Sequence, residues 1–166
     1  MASRSAFFAL GLTACVMVAT QSGLAADIVH TQTDESPIAK LVTVPADATT
    51  YYLSGTVAPV SNPSAPKGSI ESYGDTKTQT IGAIGEIKKA LAERKLDLGD
   101  VVMMHVYLAG DPAKDGKMDF AGMMEGYKQF FGTKEQPNKP SRTTVQVAAL
   151  VAPGYLVEIE VIAARK

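Results

Sequence analysis

The sequence predicts a single α+β domain, one β-sheet carrying two helices on the same face. Three observations support this. Two stretches repeat apolar residues at helical spacing, and each follows an aspartate suited to capping a helix. Segments of strand-forming residues lie before, between and after them. The order strand, strand, helix, strand, helix, strand, strand shows no internal repeat and no second domain.

Residues 27–35 are polar and read as a mobile segment or a first short strand. Leu41, Val42 and Val44 suggest a strand that ends at Pro45. Residues 51–57 form the next, with Gly55 marking a place where backbone approaches something closely. Residues 60–74 are rich in Pro, Gly and Ser and read as a loop. Asp75 and Thr76 can cap a helix to about Arg94, its buried stripe set by Ile81, Ile84, Ile87 and Leu91.

Residues 101–109 are strongly apolar and read as a central strand buried on both faces. His105 lies within it, as a core or interface histidine with one ring nitrogen satisfied. Asp119 can cap a second helix to about Phe131, with Phe120, Met123, Tyr127 and Phe130 along one side as core. Residues 133–141 are a polar, Pro-rich loop. Residues 140–165 then read as a β-hairpin around Pro153-Gly154, because both flanking runs alternate with period two. Arg142 stands at the entrance of the first strand and Glu158 lies in the second. A guanidinium there can hold a carboxylate ligand by two parallel hydrogen bonds. It can equally pair with a nearby glutamate for packing alone.

Charge and composition exclude several classes. The 166 residues carry 16 basic and 17 acidic side chains, a net charge of −1, so no basic surface points to a nucleic acid. Two histidines, His30 and His105, are too few for a convincing metal cluster. Cys15 is the only cysteine, and it falls in an apolar N-terminal run. With Arg4 before that run and small residues at its end, residues 1–26 read as a secretory leader. That leaves a domain over residues 27–166, periplasmic or secreted and with no membrane span in the mature chain. Leu12-Thr13-Ala14-Cys15 also fits a lipid-anchoring box, the alternative fate of this segment.

Several stretches, in this order, resemble the Rid family of reactive intermediate deaminases, also called YjgF. They are Tyr52-Leu53-Ser54-Gly55, Gln79-Thr80 opening a helix, residues 98–102 (LGDVV), and Asp119-Phe120 leading to Tyr127 and Phe130-Phe131. The C-terminal pair PSRTTVQVAAL and VEIEVIAA completes the set. Any one is weak; the ordered set is specific and covers about residues 37–165.

The resemblance implies a chorismate-mutase-like subunit, a homotrimer, and three clefts between subunits. It implies hydrolysis of imines and enamines, 2-aminoacrylate among them, to 2-oxo acids and ammonia, with no metal, flavin or other cofactor. Arg142 matches the carboxylate-binding arginine and Glu158 its acidic partner; Gly55 matches a glycine whose backbone lines the pocket. Thr144 stands where many members carry cysteine or another small residue. Two positions depart from the pattern. Ile38 stands where a tyrosine usually follows the proline, and Met124 where active members often carry asparagine. The expected partner is a small-molecule carboxylate. The alternatives are a small-carboxylate binding protein without turnover and an endoribonuclease, the latter disfavoured by charge and scarce histidine.

Overall fold

A computed structural model describes residues 26–166; the N-terminal stretch read as a leader, with Cys15, lies outside the described residues. The elements are β1 (Val29–Thr31), β2 (Leu41–Thr43), β3 (Thr49–Val57), α1 (Ile70–Tyr73), α2 (Thr76–Ala92), β4 (Val101–Ala109), α3 (Phe120–Tyr127), β5 (Ser141–Val147) and β6 (Val157–Arg165). Both long helices start where expected. Asp75 accepts from Thr78 N–H at 2.8 Å and Asp119 from Gly122 N–H at 3.1 Å, each satisfying a donor the first helical turn leaves free. Among the described residues no helix is long and apolar enough to cross a membrane.

The main sheet has the order β3-β6-β4-β5. β4 and β5 run parallel, while β6 is antiparallel to both β3 and β4. This corrects the hairpin read into residues 140–165. β5 and β6 do not pair, because β4 lies between them. The physical reason is the connection: β4 reaches β5 through α3, and a helical crossover returns the next strand parallel beside the first. Residues 148–156 then carry the chain past β4 to the slot between β3 and β4. The C-terminal strand is therefore central, and Val157, Ile159, Val161 and Ala163 are buried.

Three more expectations are corrected. Residues 41–43 join β1 in a separate two-stranded ribbon rather than the main sheet. β4 is buried on one face only: Met104, Val106 and Leu108 point into the core, while Met103, His105 and Tyr107 alternate away from it. The second helix also stops at Tyr127, short of Phe131.

The core lies between the sheet and the helices. Ile84, Ile87 and Leu91 of α2 and Met123 and Tyr127 of α3 cover Met104, Val106, Ile159 and Val161. Among the described residues no element covers the opposite face of the sheet. Tyr52 is 78% exposed there, with Met103 and Val145 also exposed.

Candidate functional site

Strand register decides where each candidate side chain points. Arg142 pairs with Met104 and Thr144 with Val106, both core-facing residues of β4. Arg142 and Thr144 therefore lie on the helix side of β5, since directly paired residues share a face. Glu158 pairs with Tyr107 and alternates with the buried Val157 and Ile159, which puts it on the uncovered face. Arg142 and Glu158 are thus on opposite faces of one sheet. Neither the packing pair nor a shared cleft can form between them within one chain.

Arg142 sits in a notable setting. Its guanidinium carbon lies 4.3 Å from the centroid of the Tyr127 ring, a cation–π contact. Its Nη2 meets the sulfur of Met124 at 3.1 Å, a weak acceptor. Its Nη1 is buried with no hydrogen-bond partner. The Tyr127 hydroxyl and Thr144 Oγ1 are likewise buried without partners. Burial pushes the guanidinium below its ordinary pKa, partly offset by Tyr127. Burial also pushes the Tyr127 phenol well up, against the pull of the Arg142 charge. An arginine whose fork meets no oxygen carries an uncompensated desolvation cost.

Ile38, half-buried against the core, reaches the same end of β5. A depression of about 220 Å³ is bounded by Ile38, Ala39, Met103, His105, Arg142 and Thr143. Gly55 lies across the sheet with Glu158. A Cβ built on Gly55 would overlap the Glu158 carboxylate, coming within 2.9 Å of its Cδ, so the missing side chain leaves room for that carboxylate. The register of β3 against β6 shifts at this point, between Leu53 and Thr56. Beside Glu158, His105 Nδ1 and Glu160 Oε1 are 2.7 Å apart. The Tyr107 phenol is raised, first by burial and then by the Glu160 charge.

The candidate residues thus fall into two groups. Arg142, Thr144 and Ile38 gather at the β5 edge, and Gly55 and Glu158 gather on the uncovered face. Sequence reasoning missed Tyr127 as the platform beneath Arg142; its place in an apolar helical stripe made it look like core alone. Among the described residues no group of three or more His, Cys, Asp or Glu is placed to hold a metal ion.

A profile of the family described as Endoribonuclease L-PSP matches residues 26–165. No curated protein sequence matches the chain significantly. Solved structures do. TdcF of E. coli, crystallised with bound serine, is 27% identical with a TM-score of 0.53, over 83% of this chain and 99% of that chain. A YjgF/YER057c/UK114-family protein of Mycobacterium tuberculosis, Rv2704, is 25% identical with a TM-score of 0.51, over 84% of this chain and 98% of its own. The Rid-family protein YyfB of Yersinia pestis is 22% identical with a TM-score of 0.59, over 78% and 87%, and speaks for the fold. With its α+β sheet, its ordered sequence signatures and a profile match across the whole described domain, the chain belongs to the Endoribonuclease L-PSP family, the YjgF/Rid family of these structures.

Proposed function

We propose that the chain hydrolyses small reactive imines and enamines, 2-aminoacrylate-like in kind, at clefts between the subunits of a homotrimer. The observation that carries this reading is the Arg142 guanidinium, half-buried against Tyr127 with one enclosed terminal nitrogen unpartnered and the other on a thioether. A small carboxylate supplies the missing acceptors through two charge-assisted bonds. The serine bound to TdcF supports the class of ligand, a small molecule with a carboxylate.

The reaction adds water across C=N and releases ammonia, leaving a 2-oxo acid. Arg142 fixes the carboxylate and Thr144 Oγ1 offers a further hydrogen bond. Glu158 of a neighbouring copy orients the water against the imine carbon, with Gly55 leaving space for its carboxylate. Positioning of this kind supplies much of the acceleration for so electrophilic a substrate. The uncovered face, with Tyr52, Met103 and Val145 exposed, gives a neighbouring subunit an apolar surface to cover. The leader reading puts this activity in the periplasm or outside the cell.

Met124 and Ile38 favour a second reading, binding without turnover, because both replace hydrogen-bonding groups with apolar ones. The test generates an imine from an amino acid with an amino-acid oxidase and follows its loss. The enzyme reading expects faster loss than in buffer alone. Binding of 2-oxobutyrate with no acceleration would leave the binding reading in its place.

A further inference from the structure

Lys139 is 6% exposed, and lysine is rarely buried this deeply without a paired charge. Among the described residues its ammonium forms no ion pair. It donates instead to two backbone carbonyls, Thr33 O and Ser36 O, each at 2.8 Å. Its stem crosses Gly132, where a Cβ would come within 2.7 Å of Lys139 Cε; Gly132 also has φ of +70°, a conformation that suits glycine.

The backbone around Lys139 is tied to the same N-terminal segment. Its N–H donates to Gln32 Oε1 at 2.8 Å, and its carbonyl is 2.8 Å from His30 Nδ1. Gln32 Nε2 donates to Pro137 O at 2.9 Å, and Ala39 N–H to Pro140 O at 3.0 Å. The β1–β2 ribbon lies outside the main sheet, and a two-stranded ribbon has little stability of its own. Its placement depends on these ties.

The chain runs from Lys139 through Pro140 and Ser141 straight to Arg142. On the other side of the clamp, the segment held by the ammonium continues from Ser36 to Ile38 and Ala39, which border the depression beside Arg142. We propose that Lys139 is a positioning residue, whose ammonium holds residues 33–39 so that Ile38 and Ala39 form a fixed wall against the carboxylate clamp. This rests on the carboxylate-site reading above. A charged donor suits the task because its hydrogen bonds to carbonyls are stronger than neutral ones and three N–H groups reach two acceptors at once. The wall contacts substrate and transition state alike, so its loss weakens binding without slowing the chemical step.

Lys139→Met keeps the stem and removes the donors. Amide exchange should quicken at residues 33–40 while β6 stays protected. KM, or the Kd for 2-oxobutyrate, should rise about tenfold with kcat within about twofold. Lys139→Arg should restore most of the binding. Gln32→Leu removes a neighbouring tie and should shift exchange and KM the same way but less; it carries the test if Lys139→Met fails to fold. Unchanged exchange at 33–40, or a loosened segment with unchanged KM, overturns the proposal, as does a fall in kcat alone. Wild-type protein that neither binds 2-oxobutyrate nor consumes imine sinks the carboxylate-site reading, and the pocket role with it. The exchange data would still decide whether Lys139 clamps the ribbon.

Discussion

Arg142→Ala should weaken binding of a small 2-oxo acid by about 2–5 kcal/mol, the usual range for truncating one partner of a buried hydrogen-bonded charge pair. Titration calorimetry with 2-oxobutyrate reads this as a loss of about 30-fold or more in affinity. Arg142→Lys keeps the charge but loses the two-pronged fork, so it should fall well short of wild type. The same site makes a stability prediction of opposite character. Arg142→Leu, which keeps apolar bulk over Tyr127, removes a half-buried guanidinium whose enclosed Nη1 has no partner. Its melting temperature should not fall, because the desolvation cost disappears with the charge. Equal binding by wild type and Arg142→Ala would remove Arg142 as the anchor.

Gln79→Leu should be the most damaging polar substitution for the fold. Gln79 is fully buried at the start of α2. Its Nε2 donates to Gly74 O and Gly154 O, both at 2.9 Å, and its Oε1 accepts from Leu156 N–H at 2.8 Å. One side chain thus joins the helix to the segment that delivers the chain into β6. Leucine fills similar space but leaves these backbone groups without their partner, at about 1–3 kcal/mol for each one that stays buried. A loss of about 3 kcal/mol or more is expected, seen as a drop of about 10 °C in melting temperature. A variant that melts with wild type would show that water replaces the amide at little cost.

The elements were legible in the sequence where local chemistry decides them. Asp75 and Asp119 mark the helix starts, and Ile84, Ile87 and Leu91 mark the buried stripe of α2. Pairing was not legible. Period-two runs around Pro153-Gly154 look like a hairpin, yet nothing local says that β4, delivered by α2, has already taken the place beside β5. That error also hid the geometry of the site. Arg142 and Glu158 look like partners when their strands are adjacent. With β4 between them, the pairings Arg142 with Met104 and Glu158 with Tyr107 send them to opposite faces. In the sequence Lys139 belongs to a polar loop; only the fold shows which carbonyls surround its ammonium.

The central claim is that one catalytic site needs Arg142 from one copy and Glu158 from another. The direct measurement mixes two inactive variants, Arg142→Ala and Glu158→Gln, unfolds and refolds them together, and assays imine hydrolysis. Each variant alone should be inactive. In random trimers roughly a quarter of the clefts pair an intact Arg142 with an intact Glu158 on the neighbouring subunit. Activity should therefore return to about that fraction of wild type. A mixture that refolds and assembles but stays as inactive as its components would contradict the shared site.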